Sequence, residues 1–176
     1  MKKLLSLVLT AVCILSMALC LVSCQEKELQ FDKEYVYTDI SFKKADDLTL
    51  DDIRGFIPVG SSIETVKDFE NLLRENIETY YIERLTESGL SERVHIRPSI
   101  LSVRITEGHP YMTNAYSLWL KSEFEEKEVC YGVIRNGDVF TCPDPMIEFI
   151  DFYYSDGKLH YDLEFNDKFS IVYNFK

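Results

Sequence analysis

Ile150 to Phe175 reads IDFYYSDGKLHYDLEFNDKFSIVYNF, three apolar-polar alternations separated by two turn signals. Asp156-Gly157 suits a two-residue hairpin turn, because that dipeptide tolerates the positive φ angles which match strand twist. With that turn, Tyr154 faces Leu159, Phe152 faces Tyr161 and Ile150 faces Leu163. A three-residue turn would set Phe152 against His160 and Ile150 against Asp162. A slip of one residue sends every side chain to the other face, so apolar grouping selects the two-residue turn. A three-residue loop at Asn166-Asp167-Lys168 continues the pattern: Phe165 meets Phe169, Leu163 meets Ile171, Tyr161 meets Tyr173, and Leu159 meets Phe175. The product is a three-stranded antiparallel meander with one aromatic face and one polar face.

The same period of two runs backwards to Leu90. Strands are expected at 94–106 (interrupted by Pro98), 115–124, 128–134, 138–142, 146–154, 158–165 and 169–175. An earlier alternation over Tyr35–Lys43 places Val36, Thr38, Ile40 and Phe42 on one face, making eight strands in all. Between the first strand and the rest, Leu50 to Arg54 reads as a helical turn capped by Thr49 and stopped by Gly55. Ser61 and Glu64 fit a capping box. Ile63, Val66, Phe69, Leu73, Ile77, Tyr80 and Tyr81 then recur at helical spacing until Ser88-Gly89, which predicts one long amphipathic helix.

The Asn136-Gly137 hairpin admits two registers. A two-residue turn groups Val129, Tyr131, Val133, Phe140 and Cys142 on one face and sends Cys130 to the other. A three-residue turn over Arg135-Asn136-Gly137 sets Cys130 opposite Cys142, within disulfide reach. The apolar grouping favours the first.

At the other end of the chain, Lys2 and Lys3 precede an apolar run from Leu4 to Val22, which closes on Leu21-Val22-Ser23-Cys24. A basic start, an apolar stretch and a small residue before a cut make a secretory signal. The Leu-Val-Ser-Cys ending resembles the lipobox of bacterial lipoproteins, whose cysteine receives a diacylglycerol and becomes the first mature residue. The resemblance implies a signal peptide over 1–23, lipidation at Cys24, a polar tether over 24–33 and a single domain over 34–176. It places the domain on the extracytoplasmic face of the cell membrane, held there by lipid. An uncleaved signal anchor is the alternative that a nineteen-residue run allows.

Lipobox, tether, a first strand over Tyr35–Phe42, an intervening helix and a meander ending in Phe169–Lys176 together resemble the lipocalin-like lipoproteins of Gram-positive bacteria. That resemblance implies a mainly β fold: an eight-stranded antiparallel barrel with one long helix between its first and second strands. Closure also hides the sheet edges. The competing architecture is an open antiparallel sheet wrapped on the helix, as in cystatin-like or nuclear-transport-factor-like folds.

The formal charge of −11 becomes −13 once Lys2 and Lys3 are removed. Such acidity excludes a phosphate-neutralising nucleic-acid surface and a second, electrostatic contact with anionic lipid. No nucleophile elbow, P-loop, dinucleotide fingerprint, zinc spacing or calcium loop occurs, so no enzyme and no cofactor are expected. Two constellations remain. Phe152, Tyr154, Tyr161, Phe165, Tyr173 and Phe175 line the inner face, as the pocket of a small apolar ligand or as plain core. On the polar face Asp151 stands opposite Asp162, and His160 opposite Tyr153. Two carboxylates and an imidazole suit a divalent cation, against the simpler reading of a solvated face. The sequence therefore points to a monomeric, lipid-anchored envelope protein that binds a small molecule in its barrel. The other reading is an interaction or inhibitor module with a filled core and an exposed apolar patch.

Overall fold

The computed structural model describes residues 28–79, 81–85, 88–144 and 151–176. The signal segment, Cys24 and Ile150 lie outside them. The strands are β1 (Glu34–Lys44), β2 (Tyr81–Leu85), β3 (Ser91–His95), β4 (Ile100–Thr106), β5 (Tyr116–Ser122), β6 (Val129–Asn136), β7 (Val139–Thr141), β8 (Asp151–Ser155), β9 (Lys158–Asn166) and β10 (Phe169–Phe175). Two helices, α1 (Leu50–Ile53) and α2 (Val66–Asn76), stand between β1 and β2. Eight strands close an antiparallel barrel in the order β1-β10-β9-β8-β7-β6-β5-β4, while β2 and β3 form a separate hairpin. The fold is mainly β, and closure excludes the open-sheet alternative.

The β8–β10 meander takes the register that its alternation selects. Phe152 pairs with Tyr161 and Tyr154 with Leu159; Leu163 pairs with Ile171, Tyr161 with Tyr173, and Leu159 with Phe175. Asp156 and Gly157 carry the positive φ angles, 52° and 79°, that this turn requires. One pair differs. Phe169 meets Asn166 and Ser170 meets Glu164, so Phe165 is the extra residue of a bulge. The bulge frees its ring to meet Phe56 and Phe69, at centroid distances of 4.8 and 6.0 Å.

β1 closes the barrel by pairing with β4 through Glu34–Val36 and with β10 through Asp39–Lys44, its register shifting between Tyr37 and Asp39. That irregularity reverses the face of the strand. Tyr35 points inward before it and Ile40 after it, so Val36 is exposed rather than sharing a face with Ile40.

The expected long helix is cut at both ends. Thr65, not Ser61, is the cap: Asp68 N donates to Thr65 Oγ1 (3.2 Å), and Thr65 N donates to Asp68 Oδ2 (2.8 Å). Ser61 Oγ is turned away, donating to Pro58 O (2.6 Å). After Asn76 a single 3-10 turn over Ile77–Thr79 leads into β2. Ile77, Thr79, Tyr81 and Ile82 are β-branched or aromatic, types that lose χ1 freedom in a helix and gain packing in a strand. Tyr81 and Ile82 pair with His95 and Val94. The predicted strand 94–106 splits around Pro98 for the same economy: β3 serves the hairpin and β4 the barrel.

At Asn136-Gly137 neither register considered is adopted. Arg135 pairs with Phe140 and Asn136 with Val139, so the turn is Gly137-Asp138. Gly137, at φ 62°, takes the first central position, where a type II′ turn wants glycine. The shift is by two residues, so the faces keep their grouping. Cys130 lies on the outer wall opposite Trp119, Cys142 packs against the core, and both thiols are free.

Both mouths of the barrel are covered. At one, Phe69 and Leu73 of α2 are fully buried, Phe69 against Phe165 and Phe169, and Tyr173 reaches Ile96 O with its hydroxyl. At the other, residues 28–33, expected as free tether, form a strap. Glu28 O accepts from Tyr154 on β8 (3.0 Å), Phe31 lies on Tyr116 of β5, and Asp32 N donates to Ile105 O of β4 (2.9 Å). β8 and β4 lie on opposite sides of the ring, so the strap spans the mouth.

Candidate functional site

Of the six inner aromatics expected to line a pocket, Phe152, Tyr161, Tyr173 and Phe175 pack against one another. Phe152, Tyr173 and Phe175 have no exposed surface, and Tyr161 has little. Phe152 lies 5.4 Å from Tyr161 and 5.8 Å from Phe175, and Tyr161 lies 6.0 Å from Tyr173, all centroid to centroid. These are ordinary packing distances for aromatic pairs. Burial drives the Tyr173 and Tyr161 phenols up, which keeps both neutral in the core. Tyr154 sits at the strap, its phenol pushed up to about 12 by burial and then by Tyr35. Phe165 belongs to the helix-covered mouth.

The polar face gathers part of the expected metal set and uses it otherwise. Tyr153 OH donates to Asp162 Oδ1 (3.0 Å), and Lys43 Nζ lies 3.3 Å from Asp162 Oδ2. Burial, then Asp162, raises the Tyr153 phenol. Tyr153 also stacks on His160 at 4.9 Å. Asn174 Nδ2 donates to Asp39 Oδ1 (2.6 Å), so Asn174 Oδ1 is the acceptor for His160 Nδ1, 2.7 Å away. This tautomer leaves Nε2 facing both Ser155 Oγ and Ser155 O, each at 3.2 Å. The ring thus staples the β8–β9 hairpin to β10. Asp151 stays exposed. Among the described residues no cluster of three His, Cys, Asp or Glu side chains could hold a metal ion.

Asn174, Ser170 and Val172 are nearly buried although they lie on the outer wall. The polar face is therefore not uniformly wet. Its small β10 side chains are overhung by longer neighbours on β1 and β9.

A third region was not foreseen. The β4–β5 connection folds back so that His109 bridges to Met112, against Gly132 on β6. A Cβ at Gly132 would meet Met112 Sδ, so the Met112 side chain would have to move aside. Beside it opens a groove of about 480 Å³ lined by Pro110, Tyr111, Met112, Trp119, Cys130 and Pro143. Tyr111 is 91% exposed. Arg104 lies over Trp119 at 5.1 Å and pairs with Glu128 at 2.6 Å. Trp119, the single tryptophan, was a sequence signal, as was an aromatic and methionine run between two strands where a polar turn is usual.

No family model matches the chain, and no curated protein and no solved structure matches it.

Proposed function

We propose that the chain is an exported, lipid-anchored module, without catalytic activity, that docks a protein partner through the outer groove beside Trp119. The observation carrying this reading is the contrast between inside and outside. The interior is packed ring on ring with both mouths covered, while the outer wall offers concave apolar surface built from Tyr, Trp, Met and Pro. Aromatic residues and Met are enriched at protein interfaces, and Met adapts its shape to a partner. The Arg104–Glu128 pair supplies a polar edge of the kind that excludes water around such a centre. Export and anchoring rest on the lipobox resemblance at Leu21–Cys24.

The test is site-specific photocrosslinking in intact cells. A benzophenone side chain replaces Met112 in the groove or Leu90 in the separate hairpin, in the full chain. The reading expects one discrete protein adduct from position 112, absent from position 90 and abolished by Trp119→Glu. Identical adducts from both positions, or none from position 112, would defeat it.

A further inference from the structure

The strap has a consequence for how the molecule stands on its membrane. Glu28 is fixed at one mouth of the barrel, where its carbonyl accepts from Tyr154 OH. Leu29 and Phe31 pack against the core beyond it. Between Glu28 and Cys24 lie only three residues. Four residue steps span at most about 14 Å fully extended. A barrel strand as long as β1, tilted as barrel strands are, rises about 28 Å. The tether is thus half the height of the domain that it holds, and it leaves from one end.

We infer that the strapped mouth is the membrane-facing end of the barrel, and that α2 and the β2–β3 hairpin point away from the bilayer. The inference rests on lipidation at Cys24. Strand directions place the Gly137-Asp138 and Asp156-Gly157 turns at the strapped end, while the β4–β5 connection folds back along the wall over Gly132. Val139, 38% exposed, directly follows the Gly137-Asp138 turn and is an exposed apolar side chain at that end. The turns at this end carry both signs of charge, with Arg135 and Lys158 beside Asp138 and Asp156. Net electrostatic attraction therefore does not set the orientation. Tether length does. One consequence is that the Trp119 groove opens sideways, along the wall, toward partners that are themselves close to the membrane.

The experiment uses the full chain, purified with its native modification and reconstituted into phosphatidylcholine vesicles whose acyl chains are brominated near the headgroup. Two variants carry a single tryptophan: Trp119→Phe with Val139→Trp, and Trp119→Phe with Phe124→Trp. Phe124 is 77% exposed in the β5–β6 connection at the opposite end, so neither new indole disturbs the core. The expected result is that the indole at 139 loses most of its emission to the brominated lipid while the indole at 124 keeps nearly all of its own. Equal quenching, or stronger quenching at 124, would overturn the orientation. The mass of the N-terminal peptide separates the two failures. If Cys24 carries no diacylglycerol, the anchoring reading falls and the orientation with it. If it carries the lipid and 124 is quenched, the orientation alone falls.

Discussion

Phe31 lies flat on Tyr116, ring centroids 5.5 Å apart and planes 9° from parallel. One residue comes from the segment that precedes the first strand, the other from β5, two strands away around the ring. The pair makes residues 28–33 part of the domain. Arg135 lies over the same Phe31 ring at 6.0 Å and over Phe140 at 5.6 Å, tying the strap to the β6–β7 hairpin as well.

Phe31→Ala should therefore act as a core truncation and not as a tether change. Full burial would make such a change cost roughly 3–5 kcal/mol, and half-burial about 2 kcal/mol. Urea unfolding should give a lower midpoint, and trypsin should cut after Lys33 faster than in the parent. An unchanged midpoint would mean that the strap is a loose tail.

Phe152 pairs with Phe140 and Tyr161 across the sheet and packs on Phe175. Phe152→Ala should cost roughly 3–5 kcal/mol and leave a cavity lined by rings. That variant should bind benzene-sized apolar molecules that the parent rejects, measured as a rise in unfolding temperature on ligand addition. Tyr173→Phe tests the same interior more gently. It strands the Ile96 carbonyl and should cost about 1–3 kcal/mol.

Acid sensitivity should concentrate at the helix caps. The Thr65 hydroxyl bonded to Asp68, and the Thr49 hydroxyl bonded to Asp52, hold those carboxyls below their ordinary value of 3.8. A folded value below the unfolded one contributes stability that is present above pH 3.8 and is lost as pH falls through the folded value. Asp68→Asn should flatten the fall of the urea midpoint below pH 4. If the variant and parent lose stability in parallel, the caps are not the acid-sensitive groups.

Alkali should act on the tyrosines of the core, the strap and the polar face. Burial raises the phenols of Tyr37, Tyr153, Tyr154, Tyr161 and Tyr173 above 10.0. Their contribution is complete below pH 10.0 and is lost as pH climbs toward the folded values. Phenolate absorbance should rise in two stages, exposed tyrosines first and the buried ones together with loss of near-ultraviolet circular dichroism. A single stage near pH 10 with the dichroism intact would contradict the packing described.

The meander was legible in the sequence because its strands keep one period everywhere but at Phe165, and the Asp156-Gly157 turn has its own chemistry. Legibility failed wherever a local irregularity did the work. At Thr38 and Phe165 one extra residue reverses or releases a side chain, and no pattern of period two announces it. The false long helix arose because Ile77, Tyr80 and Tyr81 continue the helical stripe, although their neighbours favour extended chain. Thr65-x-x-Asp68 offered a second capping box four residues after Ser61-x-x-Glu64, and the stripe fits both. The strap was read as polar by composition, which hid Leu29 and Phe31. The groove could not be foreseen from spacing, since it depends on a turn from twenty residues earlier lying over Gly132.

The central claim is that the barrel is packed and sealed, so that the protein works through its outside. Native mass spectrometry of the full chain, released gently from its membrane, tests this most directly. The account predicts the mass of the chain with its covalent lipid and nothing more, for the parent and for Phe152→Trp alike. A stoichiometric small apolar molecule on the parent, lost on denaturation and absent from Phe152→Trp, would contradict it.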